Sequence, residues 1–114
     1  MHEMAIAESI AEQVEAAIAA AGHPRVLEIR VRAGALRAIV PEALTFCFAA
    51  VAQGSPLEGA SLQVAVVPVT ILCPACGVRA ELEDGAPLIC GRCGGPGDLI
   101  AGRELLLESI EVEE

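Results

Sequence analysis

Cys73-Pro74-Ala75-Cys76-Gly77 and Cys90-Gly91-Arg92-Cys93-Gly94 decide how this chain of 114 residues is read. They are two Cys-x-x-Cys knuckles, each followed by Gly, with residues 77–89 between Cys76 and Cys90. A two-residue gap lets both sulfurs of a tight turn face one point. The Gly that follows permits the turn and leaves backbone N–H groups free to bond the thiolates. Two such turns facing each other make a tetrahedral all-thiolate site, with metal–sulfur distances of about 2.3 Å for zinc. Protein fills all four positions, which leaves none for water or substrate and points to a structural role. Thiolates also suit iron, and four reduced thiols or two disulfides are further readings. The absence of neighbouring aromatic side chains to shield a redox centre favours Zn(II) on Cys73, Cys76, Cys90 and Cys93.

Around the knuckles, residues 70–101 are dominated by Cys, Gly and Pro and hold too little apolar material for a core of their own. Metal binding, worth about 10–16 kcal/mol in small structural zinc sites, is expected to fold this stretch. The flanks have a different character. Ile6, Ile10, Val14 and Ile18, with Ala7, Ala11, Ala17 and Ala21 beside them and Glu8, Glu12, Gln13 and Glu15 opposite, predict an amphipathic helix over about residues 4–21, stopped by Gly22 and Pro24. Leu27, Ile29 and Val31 alternate with Glu28, Arg30 and Arg32 in a half-buried strand ended by Gly34. Pro41 and Glu42 open a second helix whose apolar face is Val40, Leu44, Cys47, Phe48 and Val51, closed by Gly54, Ser55 and Pro56. Leu62, Val64 and Val66, with Ala65 and Val67 on the other side, predict a strand buried on both faces. Glu104 to Val112 reads as a last strand that returns to the first sheet.

The expected fold class is therefore α+β: two helices on a small, mainly antiparallel sheet, with an inserted four-cysteine zinc-ribbon-like domain. Residues 1–69 and 102–114 would form the main domain and 70–101 the insertion.

Composition narrows the function. Seven Lys and Arg oppose sixteen Asp and Glu, a net charge of −9, and there are two Phe and no Tyr or Trp. Nucleic-acid phosphates would meet a net anion with no aromatic stacking platform. Mean hydropathy is +0.59, but the most apolar stretch, Leu62 to Leu72, carries Gln63 and Pro68 and is about half the roughly 20 residues a membrane span needs. The start lacks the basic flank and apolar run of an export signal, so a reducing, cytoplasmic setting is expected, in which cysteines bind metal rather than pair. Cys47, on a helix face, reads as a small buried hydrophobe, and His23, between Gly22 and Pro24, as a surface turn residue. No nucleophile–base pair or phosphate-binding Gly loop is present, so no enzyme activity is expected.

His2 is the other histidine. Its imidazole, the α-amine beside it and the first backbone amides can wrap one metal in a planar all-nitrogen chelate, which selects Ni(II) or Cu(II) over tetrahedral Zn(II). The amine, with a pKa of about 7.7–8.0, must lose its proton, so affinity should rise with pH. A solvated terminus without metal is the alternative.

Met1-His2-Glu3-Met4-Ala5-Ile6-Ala7, Val40-Pro41-Glu42-Ala43-Leu44, the paired knuckles, Gly102-Arg103-Glu104-Leu105 and Ser109-Ile110-Glu111-Val112 resemble, in this order, the HypA family of nickel metallochaperones in NiFe-hydrogenase maturation. The resemblance implies Ni(II) bound through His2, the amine of Met1 and the backbone of Glu3, with Zn(II) on the four cysteines. It also implies delivery to the hydrogenase large subunit together with a HypB-type GTPase, and in some members support of urease assembly. The chain departs from the family at residues 16–22, almost all Ala where relatives often carry Glu or Lys, so no partner contact is carried over to that face. Two other functions fit the knuckles alone: a zinc-ribbon protein-interaction adaptor without a nickel role, and a rubredoxin-like electron carrier.

Overall fold

The computed structural model describes residues 2–83 and 85–113. The elements in order are helix α1 (His2–Ala20), strand β1 (Val26–Gly34), a 3-10 turn (Ala35–Arg37), helix α2 (Pro41–Ala52), and strands β2 (Ser61–Val67), β3 (Val69–Leu72), β4 (Arg79–Leu82), β5 (Asp98–Ala101) and β6 (Leu105–Val112). The strands form two small sheets, in the orders β2-β1-β6 and β4-β3-β5. The expected α+β class holds: two helices with small antiparallel sheets and the four-cysteine segment between strands.

The chain divides into two compact units. The first comprises Met1–Val31, Ile39–Ala65 and Leu106–Glu114, and the second Arg32–Ala38 and Val66–Leu105. In the first, α1 packs on α2. The α1 stripe Ala7, Ile10, Ala11, Val14 and Ile18 is buried at the helical period, and Leu44, Cys47, Phe48 and Ala52 answer it from α2. Each fully buried side chain such as Phe48 or Leu44 contributes about 1.5–3 kcal/mol. Helix α1 ends where Gly22 takes a positive φ of 89° and the His23 N–H donates to the Ile18 carbonyl at 2.7 Å, so His23 is exposed in a turn, as expected. Pro41 begins α2, where its missing N–H costs nothing. Glu113 N–H donates to the Arg25 carbonyl at 2.8 Å, setting the tail beside β1.

Strict alternation fails in the larger sheet. Leu27, expected inside, is exposed and Val26 is buried in its place. Val66 is likewise exposed while Val67 is buried, so β2 is not covered on both faces. In β6 the half-buried positions run Leu105, Leu107, then Ile110 and Val112. In each strand the buried phase jumps by three residues once, at 26–29, 64–67 and 107–110. A regular pleat repeats every two, so the inward set changes partway along each strand. Of the apolar face expected for α2, Leu44, Cys47 and Phe48 are buried, but Val40, at the N-cap, is half exposed and Val51 only half-buried, so the inward face is narrower than the sequence suggests.

In the second unit the 3-10 turn and residues 102–104 are joined closely. Gly34 N–H donates to the Glu104 carbonyl at 2.7 Å and Leu36 N–H to the Gly102 carbonyl at 2.8 Å. Arg37 Nε donates to the Arg103 carbonyl at 2.9 Å. A Cβ on Gly34 would run into the Gly102 and Arg103 backbone. Backbone cannot yield as a side-chain tip can, so Gly34→Ala is expected to cost about 1–3 kcal/mol, read as a lower urea midpoint. The Glu104 carboxylate lies against its own N–H and accepts the Gly102 N–H at 2.7 Å, which holds its pKa below the usual carboxylate range. The native state therefore binds this proton more weakly than the unfolded chain. Its contribution is complete above the ordinary carboxylate pKa of about 4.3 and is lost as pH falls through the native value. The stability gap between the native chain and Glu104→Gln should accordingly shrink as pH is lowered from about 6 toward 3.5, in urea titrations of both.

Candidate metal centres

The two knuckles are built alike. Leu72 pairs with Arg79 across the first and Ile89 with Pro96 across the second, so each is a hairpin tip with the same seven-residue step between its flanking partners. In the first, Cys73 N–H donates to the Val78 carbonyl (3.0 Å) and Gly77 N–H to the Cys73 carbonyl (2.7 Å). The second repeats this with Cys90 N–H to Gly95 (2.8 Å) and Gly94 N–H to Cys90 (2.9 Å). Gly77 and Gly94 sit at φ +70° and +76°, the left-handed region in which a side chain is strained. That is why each Cys-x-x-Cys ends in Gly.

Strand β3 leads straight into Cys73 and is held on both sides: Val69–Leu72 against Leu82–Arg79 of β4, and Ile71 and Leu72 against Leu99 and Asp98 of β5. The four sulfurs of Cys73, Cys76, Cys90 and Cys93 all lie within 4.8 Å of one another. Cys73 and Cys93 Sγ are 3.6 Å apart. A tetrahedron of sulfurs with metal–sulfur bonds of about 2.3 Å has edges of about 3.8 Å, so the arrangement fits a single tetrahedral cation. Backbone N–H groups support the sulfurs: Cys76 to Cys73, Arg92 to Cys90 and Gly95 to Cys93, each at 3.4 Å.

As free thiols, Cys76 and Cys90 hold their protons unequally. Hydrogen bonding to Cys93, burial and the neighbouring Cys73 push the Cys76 thiol up to about 12. Backbone N–H groups of Cys93 and Arg92 pull the Cys90 thiol down to about 7. Cys73 and Cys90 are buried, and protein supplies all four donors. Such a cage holds a cation and offers it no open position. Cys47 is buried on α2 and is not one of the clustered cysteines, as expected of a small hydrophobe.

At the other predicted site, Met1 lies outside the described residues. His2 opens α1 with its side chain 57% exposed, and its Nε2 is 3.7 Å from Glu3 Oε2. Glu3 points inward and is only 7% exposed. Its Oε2 accepts the Val40 N–H at 3.4 Å. The carboxylate's own backbone N–H and that of Val40, with the nearby His2, keep its pKa below the usual range. Sequence reasoning assigned Glu3 only a backbone role. The signal for its side chain was present: position 3 falls on the same stripe as Ala7, Ile10, Val14 and Ile18, where an acid needs a buried partner. No helix of the described residues is long and apolar enough to cross a membrane.

Small sheets, two packed helices and a four-thiol cage together define a metal-binding protein of the α+β class. The family model described as hydrogenase/urease nickel incorporation, metallochaperone, HypA matches residues 1–112. The hydrogenase maturation factor HypA of Chloroflexus aggregans is 42% identical over 112 residues, covering 97% of this chain and 98% of its own. That of Desulfosudis oleivorans is 41% identical over 116 residues, covering 100% of both. The solution structure of a HypA protein matches with a TM-score of 0.73 over 99% of this chain and 97% of its own, at 19% identity. That of the Ni metallochaperone HypA from Helicobacter pylori gives 0.63 over 96% of each, at 18% identity. This chain belongs to the HypA family.

The cage is expected to take up one tetrahedral divalent cation per chain. With Co(II) as probe, the native protein should show the thiolate charge-transfer and tetrahedral bands of a four-sulfur site, and Cys90→Ser should weaken both. Strong chelation should collapse the amide dispersion of residues 69–101, since about 10–16 kcal/mol of binding energy would be withdrawn.

Proposed function

We propose that this protein carries Ni(II) for NiFe-hydrogenase maturation. Ni(II) is its cargo, taken up by the amine of Met1, the imidazole and backbone nitrogen of His2 and the backbone nitrogen of Glu3. Zn(II) on Cys73, Cys76, Cys90 and Cys93 keeps the second unit in shape. The observation that most supports this reading is the placement of His2 and Glu3 in the first turn of α1. First-turn N–H groups have no intrahelical acceptor, so a metal can replace their protons without breaking the helix ladder. Membership in a family described by nickel incorporation points the same way.

In this reading the protein is a carrier and not an enzyme, with the helical part handling nickel and the knuckles handling zinc. It works in the cytoplasm with a HypB-type GTPase, hands nickel to the hydrogenase large subunit and serves urease maturation proteins where these occur. Nucleic acid and membrane have no part in it. A closed four-thiolate cage suits a resident ion, whereas an exposed nitrogen site suits an ion that must leave again. Ligand softness keeps the two apart, since thiolates select zinc and a planar nitrogen set selects nickel or copper.

Equilibrium Ni(II) titration of protein with an unextended terminus is the test. Native protein should bind one Ni(II) with the absorption of a planar nitrogen site, more tightly as pH rises through about 7.7–8.0. His2→Ala, or a residue added before Met1, should weaken binding beyond the roughly 10–100-fold that loss of an outer support costs a metal site. Unchanged binding in His2→Ala would remove the nickel assignment and leave the zinc-ribbon adaptor as the better account.

A further inference from the structure

Helix α2 begins without a cap of its own. Its N-cap residue, Val40, has no side-chain acceptor, and Pro41 follows. In a capping box a Glu or Gln three residues into the helix reaches back to the N-cap N–H. Here that position is Ala43. The acceptor comes instead from α1, where the buried Glu3 carboxylate takes the Val40 N–H at 3.4 Å. The same carboxylate lies against the backbone N–H of Glu3 itself, and Glu3 Oε2 sits 3.7 Å from His2 Nε2. One side chain thus touches three things: a nitrogen assigned to nickel, the imidazole assigned to nickel, and the start of the neighbouring helix.

We infer that the Glu3 side chain is a positioning residue that couples nickel loading at His2 to the start of α2 at Val40. The inference rests on the nickel reading given above. When Ni(II) binds the Glu3 backbone nitrogen it displaces that nitrogen's proton to the buffer. A donor that held the carboxylate is replaced by an anionic nitrogen, and the imidazole that faced the carboxylate is turned to the metal. Both changes act on Glu3, and the carboxylate draws away from the amidate. The Val40 N–H then loses its acceptor, and residues 39–41 register whether the terminus is loaded. In the nickel-free chain the same carboxylate holds the first turn of α1 in place against α2.

The test is amide hydrogen exchange at Val40, followed by NMR in the full zinc-loaded chain with Ni(II) alone as the probe. Planar Ni(II) is diamagnetic, so the signals remain sharp. In the native protein, stoichiometric Ni(II) should produce the planar absorption band and speed exchange at Val40 by roughly fivefold, the scale of one modest hydrogen bond. Glu3→Ala removes the acceptor, so Val40 should exchange fast both without nickel and at whatever Ni(II) concentration saturates that variant. Glu3→Gln retains an oxygen acceptor and should restore part of the nickel-dependent response, which a merely structural role would not do. If the native protein forms the band while Val40 is indifferent to nickel, the coupling is wrong and the nickel site stands. A nickel response that persists in Glu3→Ala also overturns the coupling. If the native protein forms no planar band, or His2→Ala forms it equally, the nickel reading fails and this inference fails with it. Should Glu3→Ala not fold, the native and Glu3→Gln measurements decide the matter.

Discussion

Four sulfur atoms brought within 4.8 Å of one another are the constraint on which the second unit depends. Across that unit, the buried aliphatic side chains are Ala33, Val67, Val69 and Ile71. That is too few apolar side chains to make a core of their own for a segment of this length. Three strands of four residues each add ladder bonds but little burial. A cation shared by four thiolates would add about 10–16 kcal/mol at one point. The sequence economy follows: everything between β3 and β5 is arranged to aim sulfur, with two hairpin tips of equal length, a Gly at the strained position of each, and backbone N–H groups turned toward the thiolates.

The first unit solves the opposite problem. With two phenylalanines and no other aromatic residue, its core must be filled by small aliphatic groups. Alanines at 7 and 11 leave room along the α1 stripe, and Phe48 and Leu44 from α2 are completely buried. Close packing of small residues offsets the lack of bulky ones, because the gain scales with apolar area removed from water and with contact density. Part of the apolar excess that raises the mean hydropathy is thus buried in this core, while large side chains such as Phe46, Leu106 and Val66 stay exposed.

Both helices and the knuckles were legible in the sequence because each is a local pattern. A 3.6-residue period, a Pro at the start of a helix or a Cys-x-x-Cys-Gly turn is complete within a few residues. The strands were legible in place but not in phase, since a single three-residue jump in β1, β2 and β6 leaves the composition unchanged while moving Leu27 and Val66 outward. Strands β3 to β5 were hidden because the Cys, Gly and Pro around them mask any alternation in only four residues. The buried role of Glu3 was the hardest to read. Its acceptor function depends on Val40, thirty-seven positions away, and no local rule connects an acid in one helix with an uncapped start in another.

On the proposed reading, that hidden contact bears on how one short chain keeps two metals distinct. A resident ion is best held by ligands that come from separate hairpins and are braced by backbone, because release then requires the hairpins to part. A cargo ion is best held by consecutive residues at a helix start, where its ligands can be given up one at a time without unfolding anything. The weakness of such a terminal site is that nothing outside it need sense whether it is full. A carboxylate that lies against one assigned ligand nitrogen and also accepts an N–H from the next helix removes that weakness. The same first turn whose backbone nitrogens lack an intrahelical acceptor places residue 3 on the buried stripe, so on the proposed reading binding and reporting sit in adjacent residues.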